Sequence, residues 1–146
     1  MTDLSAQEQE LVDAARVAMG HAYAPYSKFA VGAALRLADG SILTGSNFEN
    51  ASYGLSLCAE TVAIAAANAQ GRLKDIVAIA VAGAPMDGPG NAVVTPCGRC
   101  RQVINEAQDV AGHDIPILCV AADGSAVVRH RLADLLPHAF GPASLG

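Results

Sequence analysis

The stretch Phe29-Ala30-Val31-Gly32-Ala33-Ala34-Leu35-Arg36-Leu37-Ala38-Asp39-Gly40-Ser41-Ile42-Leu43-Thr44-Gly45-Ser46-Asn47-Phe48 decides the fold class. Two apolar runs, 29–37 and 41–48, flank Asp39-Gly40. An Asp-Gly pair tolerates the positive φ angles of a tight turn, so the stretch predicts an antiparallel hairpin. Outward from the hairpin the pattern changes. Upstream, Ser5-Ala6-Gln7-Glu8 has capping-box spacing, Leu11, Val12, Ala15, Ala18 and Met19 form an apolar stripe, and Gly20 fits a stop. Tyr23–Ser27 reads as a loop. Downstream, the polar segment Asn47–Leu57 leads to an Ala-rich helix from about Cys58 to Ala69, closed by Gly71. Ile76–Ala82 is a continuous apolar run, as expected of a central strand covered on both faces. Gly83–Asn91, with three Gly and two Pro, reads as a loop. Val93–Thr95 reads as a short strand end, Gly98–Ala107 as a helix and Ile115–Ala121 as a strand. After a turn at Asp123-Gly124, Ala126–Val128 reads as a short strand and Arg131–Leu136 as a short helix. The order α β β α β α β (β) α predicts one α/β domain over residues 1–146. It is a three-layer α/β/α sandwich with a mixed sheet of about five strands.

Bulk properties narrow the function. Apolar residues make up 52% of the 146 and charged residues 16%, so a well-buried core is feasible and disorder is not expected. The net charge of −5 leaves no basic face for nucleic acid, and a small substrate of low charge fits better. No run reaches membrane-spanning length, and Met1-Thr2-Asp3-Leu4 lacks the basic start of a signal peptide. These features predict a cytoplasmic protein, in which four Cys favour metal binding or catalysis over disulfides.

Two short motifs carry that chemistry. Cys58-Ala59-Glu60 opens one predicted helix, and Pro96-Cys97-Gly98-Arg99-Cys100 opens another. Residues two apart inside a helix point to different sides. Cys58 and Glu60 therefore share a site only if they lie in the first turn, where the loop-to-helix change puts them. Cys97 and Cys100, three apart, share one face. Two helix N-termini would then meet at one metal ion. Three thiolates outweigh the charge of Zn²⁺, and the partial positive charge and free N–H donors of helix N-termini offset the excess. Three protein ligands leave the fourth tetrahedral position open for water, as catalytic zinc requires, with Glu60 as the proton carrier. This constellation is the one known in zinc deaminases, which use a three-Cys variant and a Glu that is not a ligand.

The bland readings are a structural zinc site or a redox pair. A structural site needs a fourth protein ligand, and Cys119 is available. It falls inside the apolar run Ile115–Ala121, however, and reads better as a buried free thiol. A redox pair leaves Cys58 and Glu60 without a role. The four His, at 21, 113, 130 and 138, are scattered and read as surface or structural residues.

Taken together, these residues resemble the small, homotetrameric cytidine deaminase family. The resemblance runs through Tyr26–Leu35, Asn47–Leu55, Cys58-Ala59-Glu60, Thr95–Val103 and Leu135–Phe140, in the family's order. It implies zinc, one ion per subunit, on Cys58, Cys97 and Cys100, with Glu60 catalytic. It further implies that Phe29 packs on the pyrimidine and that Asn47 and Glu49 hydrogen-bond the ribose 3′-hydroxyl. The Ala59 N–H would hold the base O2, and the Thr95 carbonyl would face the amine. Ala51, Tyr53 and Phe140 would reach a neighbouring subunit's site, so that the sites lie at subunit interfaces of a homotetramer. By composition alone Asn47 and Glu49 would be an ordinary polar loop.

The implied reaction is hydrolysis of cytidine and 2′-deoxycytidine to uridine and 2′-deoxyuridine with release of ammonia, in pyrimidine salvage. The alternative is deamination of a modified cytosine nucleoside such as blasticidin S. Polynucleotide editing is opposed by the acidic balance, and a zinc-stabilised interaction module would have no open ligand position. One departure stands out. Many members carry Arg directly after the catalytic Glu, where it donates to the thiolates; here the residue is Thr61. An Arg from the Cys97 helix, Arg99 or Arg101, or the helix dipoles alone, is expected to cover the deficit.

Overall fold

The structure is a computed structural model that describes residues 3–146. Met1 and Thr2, part of the N-terminal start considered above, lie outside the described residues. Helix α1 spans Ala6–Ala18. Strands β1 (Phe29–Leu37) and β2 (Ile42–Ser46) form the expected hairpin. Helix α2 (Ala59–Ala69), strand β3 (Ile76–Pro85), helix α3 (Gly98–Ala111) and strand β4 (Ile117–Ala121) follow. Strand β5 (Val127–His130) and the single-turn helix α4 (Leu132–Leu135) complete the order.

The five strands form one sheet in the order β2-β1-β3-β4-β5. Only β3 and β4 are parallel, joined by α3, and every other neighbouring pair is antiparallel. The mixed sheet expected from the hairpin is therefore present. Period-two alternation divides its faces. Ala34, Ala80, Ala82, Leu118 and Val120 pack under Leu11, Val12 and Ala15 of α1. Ala33, Leu35, Leu37, Ile79, Val81, Ile117 and Cys119 pack under Ala59, Ala63 and Ala67 of α2 and Ile104 and Ala107 of α3. One helix covers one face and two cover the other, which makes the three layers.

Local signals explain most boundaries. The Ser5 hydroxyl accepts from the Glu8 N–H at 3.1 Å while the Glu8 carboxylate accepts from the Ser5 N–H at 3.0 Å, so the capping box starts α1. Gly40 takes φ +91° in the hairpin turn, and Asp39 Oδ1 accepts from the Ser41 N–H at 2.9 Å.

Several boundaries depart from the sequence reading. Helix α1 does not stop on Gly20; its end tightens into a 3₁₀ turn over Met19–His21. Strand β3 continues through Gly83 and Ala84 to Pro85, although these residues read as loop, because β1 is long enough to pair with them (Phe29↔Pro85, Ala30↔Ala84). Val93–Thr95 forms no strand. Helix α3 runs four residues beyond Ala107, to Ala111, where Gly112 at φ +79° ends it. Strand β4 begins at Ile117 instead of Ile115, whose N–H is taken by the Gln108 side chain at 3.0 Å. No helix among the described residues is long and apolar enough to cross a membrane.

Candidate active site

Cys58 and Cys97 occupy the N-cap positions of α2 and α3, both with extended backbone, and neither side chain caps its own helix. The thiols are therefore free to point away from the helix ends. Glu60 and Cys100 follow within the first turns. The Sγ atoms of Cys58, Cys97 and Cys100 lie within 4.8 Å of one another, the only such metal-ligand group among the described residues. Cys58 Sγ and Cys97 Sγ are 3.9 Å apart. Tetrahedral zinc with Zn–S bonds of about 2.3 Å separates its sulfurs by about 3.8 Å, so the cluster has the dimensions of a zinc site. The protons on these thiols are unevenly held. A hydrogen bond from Cys100 draws the Cys58 thiol down to about 6. That same contact, together with burial, pushes Cys100 well above the usual thiol range. Crowded, partly desolvated thiols of this kind are relieved by a cation.

Cys119 lies apart from this group. It is fully buried in β4, and burial first, then the charge of Glu60, pushes its thiol up to about 12. It is a neutral core thiol and not a fourth ligand.

Glu60 is the one buried charged or polar side chain among the described residues, at 3% exposure. Burial, reinforced by the neighbouring Cys58 charge, raises its carboxyl pKa. A carboxyl that holds a proton more readily than usual is suited to taking one up and giving it back. Glu60 opens into a cavity of ≈ 300 Å³ that it shares with Cys58, Cys97, Phe29, Asn47, Glu49 and Thr95. The volume is at the lower end of what small-molecule sites use.

The structure thus brings most of the sequence-selected residues to one cavity. Asn47 and Glu49 are more than polar loop residues. Asn47 Oδ1 accepts from the Val31 N–H at 2.9 Å, and Asn47 Nδ2 donates to the Phe29 carbonyl at 2.8 Å, which pins the edge of β1. Glu49 accepts from the Tyr26 and Ser27 N–H groups at 3.0 and 3.1 Å and from the Ser27 hydroxyl. The Ser27 hydroxyl is the main reason its carboxyl sits below the usual range. Ala59 lies in the first turn of α2 with its side chain in the core and its N–H among the amides that have no intrahelical acceptor. Ala51, Tyr53 and Phe140 do not line this cavity. Tyr53 is 73% exposed beside it, its ring 5.5 Å from that of Tyr26. Phe140 is held by its carbonyl, which accepts from Gln102 and Asn105 at 2.8 and 3.1 Å, leaving the ring exposed.

Two features were missed in the sequence, and one expectation is corrected. Ser27 orients Glu49, and its hydroxyl also accepts from the Phe29 N–H at 3.1 Å. Gly83 leaves room for the Phe29 ring: a Cβ there would lie 3.1 Å from Phe29 Cε1 and 2.9 Å from Val94 Cγ2. Arg101 is a brace and not a partner of the thiolates, donating to the Pro96 and Leu135 carbonyls at 2.7 and 2.8 Å and to the Thr95 hydroxyl at 3.0 Å. Ser27 carries a usable signal, the serine two positions before Phe29 that favours a local side chain–backbone turn. The Gly83 contact with Phe29 and the Arg101 bond to the Leu135 carbonyl depend on residues distant in sequence.

A family model for the cytidine and deoxycytidylate deaminase zinc-binding region matches residues 5–112, a span that contains all three clustered cysteines and Glu60. The chain belongs to this family. Among deaminases that it resembles, the cytidine deaminase of Halalkalibacterium halodurans is 52% identical over 132 residues, 90% of this chain and 92% of that protein. A Mycobacterium tuberculosis cytidine deaminase is 46% identical over 120 residues, 82% of this chain and 79% of that protein. The crystal structure of a Burkholderia pseudomallei cytidine deaminase superposes with a TM-score of 0.79 at 40% identity, covering 96% of this chain and all of that one. The chain is an enzyme of the deaminase class, with a Cys58, Cys97 and Cys100 cluster positioned to hold one metal ion.

Proposed function

We propose that the chain hydrolyses cytidine and 2′-deoxycytidine to uridine and 2′-deoxyuridine, releasing ammonia, in pyrimidine salvage in the cytoplasm. The observation that carries this reading is the buried Glu60 carboxyl opening into the same cavity as the zinc-sized thiolate cluster. Cys58, Cys97 and Cys100 would hold zinc, which would supply Lewis-acid activation of water at the cavity. Glu60 removes a proton from the attacking water and delivers it to pyrimidine N3. A second proton passes through the same carboxyl to the exocyclic amine. The C4–N4 bond then breaks, ammonia departs and C4 keeps the oxygen. A raised carboxyl pKa supports both halves of this shuttle.

Phe29 stacks on the base, and the Ala59 N–H and Thr95 carbonyl hold its O2 and amine edges. Asn47 and Glu49 bind the ribose 3′-hydroxyl, an assignment supported by their position on the cavity wall. Neither contact demands a 2′-hydroxyl, which favours acceptance of both sugars. Ala51, Tyr53 and Phe140 complete a neighbouring copy's site in a homotetramer with one zinc per subunit. The exposure of Tyr53 and Phe140 beside or away from this chain's own cavity supports that reading. Similarity to cytidine deaminases at 46% and 52% identity opposes a modified nucleoside such as blasticidin S as the substrate.

The test is ultraviolet monitoring of cytidine and 2′-deoxycytidine loss by zinc-loaded protein, with Glu60→Gln alongside. The variant should keep its zinc and fold while turnover falls at least about 100-fold, the usual contribution of a positioned acid–base group. Turnover retained by the variant, or none by the parent on either nucleoside, overturns the proposal.

A further inference from the structure

The three thiolates carry more negative charge than one zinc ion neutralises, and the chain lacks an Arg beside Glu60. Two groups on the helix ends answer this. Thr61, in the first turn of α2, places Oγ1 3.7 Å from Cys100 Sγ, in the first turn of α3. The two helix starts are thereby linked by a hydroxyl pointed at the most buried of the three sulfurs. Arg99, one position before Cys100, donates from Nη1 to the Ser56 carbonyl at 3.2 Å. Ser56 is two residues before Cys58, so this bond draws the guanidinium across the gap between the helices to the Cys58 side. Arg101, the other candidate, is committed to the Thr95, Pro96 and Leu135 contacts.

We propose that compensation of the thiolate charge is divided between two positioning residues in this chain: the Thr61 hydroxyl donates to Cys100 Sγ, and the Arg99 guanidinium, tethered to the Ser56 carbonyl two residues before Cys58, supplies positive charge on that side of the cluster. A hydroxyl donating to a buried thiolate removes electron density from the sulfur without adding a desolvated charge. An exposed guanidinium adds charge at the sulfur that is nearer to solvent, where its own desolvation is small. The division follows burial: a neutral donor serves the buried sulfur and a cation the half-exposed one. Both residues act through the thiolates and neither touches the substrate. The inference rests on the zinc-enzyme reading above.

The experiment measures zinc retention and ligand electronics, independent of turnover. Zinc affinity is determined by competition with a chromogenic chelator for the parent protein and for Thr61→Val, Thr61→Ser and Arg99→Gln. Thr61→Val, which keeps shape and loses the hydroxyl, should weaken zinc binding by about tenfold, the lower end of what loss of an outer contact costs. Thr61→Ser should restore it. Arg99→Gln should weaken it by a factor that shrinks as salt rises, since exposed charges are screened. In cobalt-substituted protein, the sulfur-to-metal charge-transfer band should move to lower energy in Thr61→Val and return in Thr61→Ser, a shift that a packing defect would not produce. Parent protein that binds zinc normally while Thr61→Val matches it in affinity and spectrum overturns this proposal alone. Parent protein that takes up no metal on its cysteines overturns the underlying zinc reading instead.

Discussion

Gly45 of β2 lies so close to the first turn of α2 that a Cβ at residue 45 would stand 2.5 Å from the Ala59 carbonyl oxygen and 2.6 Å from the Ala63 amide nitrogen. Both neighbours are backbone, so neither can swing aside. The missing side chain lets the helix that begins with Cys58, Ala59 and Glu60 seat directly on the hairpin. Gly45→Ala should therefore push the start of α2 off the sheet. The expected cost is about 1–3 kcal/mol of stability, as for overpacking elsewhere, together with weakened metal retention because Cys58 moves relative to Cys97. Chemical denaturation and zinc content of the purified variant read the two effects. An unchanged unfolding midpoint would show that the contact yields more easily than backbone should.

The legible and illegible parts of this site separate along sequence distance. Asp39-Gly40 announces the hairpin because turn geometry is decided by the turn residues themselves. Equally local cues place Cys58 and Cys97 at helix starts, and the structure puts them at the N-caps. By contrast, Gly83–Pro85 reads as loop from its composition and becomes strand because β1, some fifty residues earlier, extends far enough to pair with it. The end of α3 is hard to read because Gln108-Asp109-Val110-Ala111 breaks the apolar stripe yet holds no helix breaker before Gly112. The contact of Thr61 with Cys100 spans 39 residues, and no spacing rule reports it.

Glu8 offers a pH handle far from the site. Its carboxylate takes two hydrogen bonds from Arg129, at 2.7 and 2.8 Å, and also serves the capping box with Ser5. Arg129, ahead of the Ser5 contact, lowers its folded pKa from 4.5 to about 2. A folded pKa below the unfolded one contributes stability that is fully present above about 4.5 and lost as pH falls through about 2. The pair is partly exposed, so its contribution is modest and salt-sensitive. Glu8→Gln keeps the capping geometry and removes the charge. Thermal unfolding between pH 5 and pH 2 (roughly the window that the linkage defines) should fall less steeply in the variant than in the parent. Parallel curves would mean that Glu8 is no more acidic in the folded chain than in the unfolded one.

Asn47 and Glu49 line the same cavity, yet their other contacts predict different consequences of mutation. Both ends of the Asn47 amide are tied to β1 backbone, so Asn47→Ala strands the Val31 N–H and the Phe29 carbonyl in a partly buried setting. Such losses cost about 1–3 kcal/mol, and the strand edge carrying Phe29 loosens with them. The variant should unfold at lower denaturant and lose both kcat and substrate affinity. Glu49→Gln is different. Its side-chain carbonyl can still accept from the Tyr26 and Ser27 N–H groups, so the loop stays in place while the charged acceptor is lost. KM for the nucleoside should rise with the unfolding midpoint nearly unchanged. Denaturation curves and Michaelis profiles measured on both variants decide the matter. If Glu49→Gln destabilises the chain as much as Asn47→Ala does, then Glu49 is chiefly a loop anchor and its place in ribose recognition falls. If Asn47→Ala leaves stability untouched, the amide is free of β1 in solution, and its effect on KM can be read as a substrate contact alone.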